Sequence, residues 1–318
     1  MNVTKLFKKL RYKPYGGFMV ALFLHKIYIF YKFRIWSDEH YISKDFKQDF
    51  GYELNLQTPK SLNEKINWYK LNYKNPLISL CADKYAVREY VANCIGSKYL
   101  ISLVFHTDNY KRILPENLPD YPFIIKANHT AGTHHIVRDK SKADWKAIQT
   151  DCRWWLHSNY FHIQKEWQYE KIKPKIIVEK LLTDENGQIP SDYKLHYFEG
   201  KFGFLQVDLD RFTQHKRNLY DKDWNLLPFT WSPLGSNGLP YKDNGRQVPR
   251  PINLASMIDL GTKLAKSFPY VRVDFYIINE EIFFGELTFH HAGGLEHFTP
   301  SEWDLHFGRK VPLKMFDQ

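Results

Sequence analysis

The sequence lacks most of the signatures that mark common classes of enzymes and secreted proteins. Only three of its 318 residues are cysteines, and Cys81, Cys94 and Cys152 form no CxxC pair. Such an odd, scattered set disfavours both a disulfide framework and a zinc site, and it is typical of reduced thiols in a cytoplasmic protein. No P-loop, GxSxG or HExxH pattern occurs, so P-loop nucleotide hydrolysis, serine hydrolysis and zinc proteolysis have no support in the sequence.

Acidic residues are missing from the first part of the chain. No Asp or Glu precedes Asp38, although the chain as a whole has a net charge of +10. The basic residues of this acid-free part are Lys5, Lys8, Lys9, Arg11, Lys13, Lys26, Lys32 and Arg34. They account for most of the net charge, and the remaining residues are nearly neutral. A nucleic-acid-binding protein usually spreads basic residues over its folded surface, so we expect no nucleic-acid partner.

Long apolar runs are missing as well. The main candidate, residues 18–33, is too short for a transmembrane helix and is interrupted by His25, Lys26 and Lys32. No small-residue cleavage site follows it, which argues against a secretory signal. Two interpretations remain open: a basic, aromatic helix that lies on an anionic membrane surface through residues 1–36, or a core helix with basic flanks. We expect a cytoplasmic protein, which the first interpretation would attach peripherally to the inner face of the cytoplasmic membrane.

Helices and tight hairpins alternate along the rest of the chain. Ser61 with Glu64 forms a capping box before an apolar-periodic run, and Asn253 is the predicted cap of a further helix. Glu199-Gly200 is a strong turn signal between two strands. The predicted helices cover residues 77–91, 143–160 and 254–268, and the predicted strands cover 121–128, 175–182, 191–200 and 201–211. Strand pairs joined by tight turns, with helices between them, indicate an α+β fold.

The most informative segment is VRVDFYIINEEIFFGELTF, in which two strands alternate apolar with polar residues. Each strand therefore has one apolar and one polar face. A three-residue turn at 279–281 would pair Asp274 with Glu286 and Arg272 with Thr288 while keeping both faces coherent. Directly opposed carboxylates repel each other. Protonation of one carboxylate, neutralisation by Arg272, or a divalent cation such as Mg²⁺ shared with substrate phosphates would relieve that repulsion. An ordinary Arg–carboxylate bridge on a solvated sheet face is the alternative.

Other polar residues would complete a set suited to a nucleoside triphosphate with a metal. Lys126 ends an apolar strand and precedes a polar loop that contains Gly132, which favours a phosphate contact. Glu179 lies in an otherwise apolar strand, although this placement also fits an ordinary edge strand. The candidate cations are Lys84, Lys126, Lys194, Arg211 and Arg272.

Eight segments, taken in order, resemble the TupA-like (teichuronopeptide-biosynthesis) branch of the ATP-grasp superfamily. They are SLNEKINW, ADKYAVREYV, FIIKAN, IIVEKLL, SDYKLHYFEGK, VDLDR, RVDFY and GELTF, and they cover most of the chain. The resemblance implies an ATP-grasp fold, in which two α+β subdomains with antiparallel sheets clasp ATP. We accordingly expect a basic, aromatic-rich helical segment over residues 1–57 and an ATP-grasp catalytic domain over residues 58–318.

The resemblance also implies roles for individual residues, assigned by motif matching. Arg272 and Lys126 would be catalytic, Arg272 by stabilising charge that develops on the oxygens of the reacting acyl carbon. Asp274, Glu286 and Thr288 would ligate Mg²⁺. The residues that would bind ATP are Lys84, Lys126, Asn128, Gly132, Glu179, Lys180, Leu182, Asp192, Lys194 and Arg211.

Within that ATP-binding set, the resemblance distinguishes three parts of the nucleotide. Glu179, Lys180 and the backbone near Leu182 would hold the adenine, and Asp192 would accept hydrogen bonds from the ribose. The remaining residues would face the phosphates, covered by the loop at 128–133.

The chain departs from the family pattern in two places. Thr288 stands where many ATP-grasp enzymes carry Asn, and a hydroxyl is also able to ligate Mg²⁺. The phosphate loop is poor in glycine and is followed by His134 and His135, either of which would fit an acceptor site instead. The sequence leaves open the roles of five histidines, which are His129, His134, His135, His290 and His291.

These features predict an ATP-dependent carboxylate–amine ligase. It would join an amino acid or another amine to the carboxylate of a uronic-acid-containing glycan, through an acyl phosphate, in the assembly of bacterial surface or capsular polysaccharide. The alternatives are a glycosyltransferase of the same pathway and a non-catalytic, membrane-bound scaffold with a decayed ATP-grasp fold. The opposed Asp274 and Glu286 argue against decay, because an unused pair of like charges is easily lost.

Overall fold

The computed structural model describes residues 3–13, 16–209, 216–234, 238 and 245–315, with only the backbone at 3–5, 33–34 and 164. The chain divides into two compact units. The first unit comprises Met1–Tyr41, Asp83–Tyr85 and Ser102–Leu181, and the second comprises Ile42–Ala82, Ala86–Ile101 and Leu182–Gln318. The division into residues 1–57 and 58–318 stays a prediction.

Runs of helices and runs of strands follow one another over the described residues, as expected of an α+β fold. The helices are α1 Val3–Arg11, α2 Gly17–Ile35, α3 Asp38–Phe50, α4 Leu62–Asn72, α5 Pro76–Ala82, α6 Val87–Ile95, α7 Trp145–His157, α8 Phe161–Gln164, α9 Leu254–Ala265 and α10 Glu302–Gly308. The strands are β1 Leu103–Thr107, β2 Phe123–Ala127, β3 His134–Val137, β4 Ile176–Lys180, β5 Tyr193–Phe198, β6 Lys201–Leu209, β7 Lys216–Tyr220, β8 Thr230–Ser232, β9 Tyr270–Ile278, β10 Glu281–Thr288 and β11 His297–Thr299.

The first unit is built on an antiparallel sheet in the order β1-β4-β2-β3. One face carries fully buried apolar side chains such as Ile125 and Val178, which join a core cluster with Cys152 and Trp155 of α7. The alternation of buried and part-buried residues along β2 reflects the period of two in a half-covered strand. The predicted strands 121–128 and 175–182 are confirmed as β2 and β4.

The second unit is built on an antiparallel sheet in the order β10-β9-β5-β6-β7. Both of its tight hairpins turn through two residues with positive φ: Glu199 (52°) and Gly200 (71°) between β5 and β6, and Asn279 (49°) and Glu280 (65°) between β9 and β10. Left-handed pairs of this kind match the twist of the flanking strands. The turn predicted at Glu199-Gly200 is therefore confirmed.

The predicted three-residue turn at 279–281 is wrong, although the register it was meant to produce is present. Ile278 pairs with Glu281 across a two-residue turn, and the register then shifts between Phe284 and Glu286. The extra residue is thus a β-bulge at Gly285, which restores the coherent faces beyond it. A Cβ at Gly285 would stand 3.0 Å from the Tyr276 ring and 3.1 Å from the Asp274 carbonyl oxygen, which explains why glycine occupies this position.

Two helix predictions need correction. The single helix predicted over 77–91 is two helices, α5 and α6, because the chain leaves helical geometry at Asp83 and the Lys84 N–H donates to the Asn128 carbonyl at 3.0 Å. Asn253 precedes α9 as predicted, but its side chain does not cap the helix and instead donates to the Glu280 carbonyl.

The capping box is confirmed where it was predicted. At the start of α4 the Ser61 side chain accepts from the Glu64 N–H at 3.2 Å, and the Glu64 carboxylate accepts from the Ser61 N–H at 3.0 Å. Reciprocal bonds of this kind satisfy two backbone donors that the first helical turn leaves open.

The helix α2 combines features of both interpretations of residues 18–33. One side of it is buried through Phe18, Ala21 and Leu22, and Phe18 makes an edge contact with Trp154 of α7. The opposite side leaves large apolar residues exposed. In the part of the chain that the structure describes, no helix is long and apolar enough to cross a membrane.

Candidate functional site

The polar face of the β9–β10 hairpin brings the predicted metal and catalytic residues together. Asp274 lies opposite Glu286, and Arg272 lies opposite Thr288, in the predicted pairing. Arg272 Nε and Nη2 donate to the two oxygens of Asp274, each at 2.7 Å, and Nη2 also donates to Glu286 Oε1 at 2.9 Å. The Thr288 hydroxyl donates to the same Glu286 oxygen at 3.2 Å. Arg272 therefore neutralises part of the repulsion between the two carboxylates.

This ion pair is buried and not on a solvated face. Arg272 and Asp274 are 8% and 5% exposed, whereas the Glu286 side chain is 40% exposed. A buried two-pronged Arg–carboxylate pair has a fixed geometry, and its net stabilisation is small because both charges lose their hydration. The pair is therefore better suited to holding a defined arrangement of charge than to stabilising the sheet.

The pair continues into a larger buried network in the second unit. Arg272 Nη1 donates to His291 Nδ1 at 2.9 Å, and His291 Nε2 lies 3.0 Å from Glu296 Oε2. Glu296 accepts from Arg217 Nη1 at 2.7 Å, and Arg217 Nε donates to Asp208 at 3.1 Å. Because the guanidinium is only a donor, His291 must accept at Nδ1 and carry its proton at Nε2.

The other end of the network lies on β5 and just before it. Lys194 Nζ is 2.7 Å from Asp192 Oδ2 and 3.0 Å from Asp208 Oδ2, and its side chain is 5% exposed. Lys194 pairs with Asp274 across β5 and β9. Asp192, Lys194 and Asp274 are thus held on one side of the sheet.

Burial shifts the pKa values of several members. Desolvation raises the pKa of Asp274 to about 6, although Arg272 and Lys194 oppose the shift. Burial lowers the pKa of His291 to about 4, in spite of its hydrogen bond to Glu296. The carboxylates of Asp274 and Glu286 raise the pKa of Arg272 against the desolvation of its guanidinium. His291 is therefore neutral and Arg272 is charged at physiological pH.

The charge and chemistry of this network fit a divalent cation. It contains the five carboxylates of Asp192, Asp208, Asp274, Glu286 and Glu296 against the three cations of Lys194, Arg217 and Arg272, which leaves a charge of −2 when all the carboxylates are ionised. Asp274, Glu286 and Thr288 present hard oxygen donors, which Mg²⁺ prefers. Each carboxylate oxygen can accept more than one contact, so the bonds from Arg272 leave capacity for a metal.

The described residues contain no cluster of three or more His, Cys, Asp or Glu that would form a closed metal cage. Mg²⁺ commonly binds through one or two carboxylates together with substrate phosphates and water. A site with two carboxylates and one hydroxyl agrees with that mode of binding.

The first unit holds a separate group of the predicted residues around the loop that follows β2. Lys84 Nζ donates to the Thr130 carbonyl at 2.7 Å, and Lys126 Nζ lies 2.9 Å from Glu179 Oε2. Gly132 has a φ of 71°, which glycine adopts without strain. Two lysines therefore flank a loop with a left-handed residue, as expected for a phosphate contact.

Asn128 anchors this loop. Its side-chain oxygen accepts from the Lys175 N–H at 2.7 Å, and its amide group donates to Asp83 at 2.8 Å and to the Lys173 carbonyl at 3.1 Å. Because Asn128 is fully buried, these bonds fix the start of the loop. Its observed contacts position the backbone, and a direct contact with ATP stays a prediction.

The edge-strand interpretation of Glu179 is wrong. β4 lies between β1 and β2, so Glu179 is on an inner strand, and its partner is Lys126. Its neighbour Lys180 is exposed. Leu182 belongs to the second unit. Arg211 lies outside the described residues.

The five histidines whose roles the sequence left open have different environments. His129 is buried among Asn128, Trp155 and Ser158, and His135 Nε2 lies 3.0 Å from Asp151 Oδ2, so both have structural partners. His134 begins β3, and His290 is buried. Among these five, His291 contacts Arg272.

The sequence alone did not indicate three members of the network, Asp208, Arg217 and Glu296, and it left the role of His291 open. Asp208 and Lys194 both alternate with apolar residues on paired strands, which is a signal that period-two patterning contains. Arg217 and Glu296 are 79 residues apart in sequence, and no local pattern connects them.

A family model described as TupA-like ATPgrasp matches residues 64–312. No curated protein matches the chain. The chain is similar to solved structures of D-alanine–D-alanine ligase from Bacillus anthracis (14% identity, TM-score 0.37, 68% of this chain and 59% of that chain) and from Helicobacter pylori (13%, 0.39, 75% and 60%). It is also similar to the ATP-grasp ligase PsnB in complex with Mg and ADP (11%, 0.38, 69% and 53%).

The fold is thus that of the ATP-grasp proteins, as predicted, with antiparallel sheets, helices and a helical N-terminal segment. Since the family match spans most of the sequence, the chain belongs to the TupA-like ATP-grasp family. It spans 59% of the length of the Bacillus anthracis ligase.

Proposed function

We propose that the protein is an ATP-dependent ligase that joins a carboxylate to an amine. A carboxylate oxygen takes the γ-phosphoryl group of ATP, which leaves ADP and an acyl phosphate. The amine nitrogen then attacks the acyl carbon, the C–O bond to phosphate breaks, and the amide forms with loss of inorganic phosphate and one proton. The first transfer is needed because a free carboxylate is a poor electrophile and phosphate is a good leaving group.

The observation that carries this proposal is the position of Arg272 between Asp274 and Glu286 in a buried network of charge −2. Positioning and electrostatic stabilisation account for most of the catalysis of phosphoryl transfer. Charges of both signs that are already held in place on rigid strands supply both the positioning and the electrostatic stabilisation, without reorganisation during the reaction.

In the second unit we assign Mg²⁺ to Asp274, Glu286 and Thr288, whose oxygen donors fit that ion. When bound, Mg²⁺ would neutralise phosphate oxygens. Lys194 would contribute positive charge toward the phosphates, and Asp192 would accept from the ribose. Arg272 would stabilise negative charge on the oxygens of the reacting acyl carbon.

In the first unit we assign Lys84, Lys126 and the loop at 128–133 to the ATP phosphates, with Lys126 also catalytic. Glu179 and Lys180 would contact the adenine, and Leu182 keeps the backbone contact with adenine that the family resemblance implies. Arg211 keeps its proposed phosphate contact from the family resemblance. Lys126 and Glu179 are already paired, so the lysine ammonium is held in place before nucleotide binds.

His291 and Glu296 would act as positioning residues. The chain Glu296–His291–Arg272 fixes one edge of the guanidinium while Asp274 binds another. A group held from two sides loses little freedom in the transition state, which lowers the barrier.

For the substrates we propose a uronic-acid-containing glycan and an amino acid or another amine, in the synthesis of bacterial surface or capsular polysaccharide. This part of the proposal is supported by the family that the chain belongs to. The glycan would be free, nucleotide-linked or lipid-linked, and each form is a separate arm of the test.

The test incubates the protein with ATP, Mg²⁺, uronic acids and amino acids in pairs. We expect ADP release that requires both substrates, and a product whose mass equals the sum of the two minus water. A nucleoside diphosphate released from a nucleotide-sugar with ATP intact would instead show a glycosyltransferase. ATP binding without turnover in every arm would favour a non-catalytic scaffold.

A further inference from the structure

The helix α2 has two faces of different character. Phe18, Ala21 and Leu22 are buried, and the Phe18 and His25 rings contact Trp154 of α7. The basic side chain of Arg153 lies over Phe18 at 3.9 Å from the ring centroid. This face is therefore occupied by the first unit itself.

The other face carries a stripe of large apolar residues that are exposed. Met19, Phe23, Ile27, Tyr31 and Ile35 recur every four residues and are 56%, 64%, 37%, 61% and 68% exposed. Each step of four residues turns about 40° around a helix, so Phe23, Ile27 and Tyr31 share the middle of the exposed side and Met19 and Ile35 lie toward its two edges. Contiguous exposed apolar surface of this kind marks a binding surface in soluble folds.

The charge of the first part of the chain indicates what the stripe binds. Lys8, Lys9, Lys13 and Lys26 are exposed, and no acidic residue precedes Asp38. Two copies of this surface facing each other would bring together two sets of like charges, which opposes a symmetric dimer. An anionic lipid surface offers both an apolar layer for the stripe and negative headgroups for the lysines.

We propose that α2 lies in the interface of an anionic lipid bilayer, with Phe23, Ile27 and Tyr31 at the centre of the stripe facing the acyl chains and Lys8, Lys9, Lys13 and Lys26 contacting the headgroups. The inference is independent of the ligase activity, because it rests on residues outside the polar network. An enzyme placed there would reach a lipid-linked substrate without diffusing through the bulk.

The test is co-sedimentation with vesicles of phosphatidylcholine alone and of equal parts phosphatidylcholine and phosphatidylglycerol. We expect binding to the anionic vesicles that weakens as salt is added. Phe23→Gln, Ile27→Gln and Tyr31→Gln together should weaken it at least about 10-fold, because glutamine keeps the helix but removes the apolar contact. Lys8→Gln, Lys9→Gln, Lys13→Gln and Lys26→Gln together should weaken it on the order of 100-fold.

A control replaces exposed apolar residues on other helices. Leu80→Gln with Leu305→Gln changes α5 and α10 at side chains 41% and 44% exposed, and should bind vesicles like the unchanged protein. Equal binding by the α2 variant and this control would overturn the proposal. So would a dimer that the α2 variant dissociates, with no vesicle binding, since a second copy would then cover the stripe. ADP release with soluble substrates, measured in parallel, tests the ligase proposal separately.

Discussion

His291 Nδ1 lies 2.9 Å from Arg272 Nη1, and the other nitrogen of the same ring lies 3.0 Å from Glu296 Oε2. A buried neutral imidazole thus connects a carboxylate to the guanidinium that binds Asp274. The ring is also packed against Trp231, with centroids 4.2 Å apart, so its orientation is fixed. The contact gives a specific role to a histidine that has no recognisable motif.

We expect His291→Ala to lower kcat by about 10- to 100-fold while the KM for ATP changes less than about 3-fold, because the guanidinium loses one of three partners, Asp274, Glu286 and His291. His291→Gln should recover at least about half of that loss on a logarithmic scale, since its amide can accept from Arg272 and donate to Glu296. Steady-state kinetics of both variants check this. Equal kcat values for Ala and Gln, or a loss confined to KM, would contradict the positioning role.

Acid should destabilise the fold through His291. Its pKa is lowered to about 4 in the folded state, against 6.5 when unfolded, so the unfolded chain binds more protons between these values. The free energy of unfolding is therefore unaffected by this group above pH 6.5. As the pH falls from 6.5 toward 4, the free energy of unfolding decreases, by about 3 kcal/mol at most.

His291→Gln removes this titration. Urea unfolding at a series of pH values should therefore show that the free energy of unfolding falls less steeply for the variant, by about one proton in the linkage slope. Other buried groups, including Asp274, titrate in both proteins and cancel in the difference. Identical slopes would mean that His291 does not titrate as described.

Lys126 and Glu179 should matter for both nucleotide binding and stability. Lys126→Met should raise the KM for ATP at least about 10-fold, since a positioned charge on the phosphates is lost. It also leaves Glu179, whose side chain is 9% exposed, without that ion pair, which costs about 1–3 kcal/mol.

The double variant Lys126→Met with Glu179→Gln separates the two effects. It should regain stability in thermal melts but not ATP affinity. Lys142→Met, at a lysine whose side chain is 83% exposed, is the matched control and should behave like the unchanged protein. A KM for ATP in Lys126→Met no higher than in this control would refute the phosphate assignment.

Local patterns predicted much of the fold. The capping box at Ser61 and Glu64 and the turn at Glu199-Gly200 depend on neighbouring residues, and both are present. The pairing of Asp274 with Glu286 followed from keeping apolar residues on one face. Keeping the apolar residues on one face determines which residues pair, but it does not determine where the extra residue is placed. The protein places it in a bulge at Gly285 and not in a longer turn.

Tertiary contacts account for what the sequence did not show. The break between α5 and α6 depends on a bond from Lys84 to Asn128, 44 positions further on, which no helix periodicity contains. Arg217 and Glu296, which form an ion pair, are even further apart in the sequence. Distant polar residues of this kind become visible as a site only when the sheet brings them together.

The most direct test of the proposed metal site is to measure Mg²⁺-dependent ADP release by Asp274→Asn and Glu286→Gln. Each substitution keeps the shape of the side chain and removes one negative charge from the face assigned to the metal. Asp259→Asn on α9, with a side chain 63% exposed, removes the same charge from the surface and is the control. We predict that the two site variants lose at least about 100-fold in kcat, with half-saturation at higher Mg²⁺ for Glu286→Gln, while Asp259→Asn retains full activity. Full activity and an unchanged Mg²⁺ requirement in both site variants would contradict the central claim that this hairpin holds the metal.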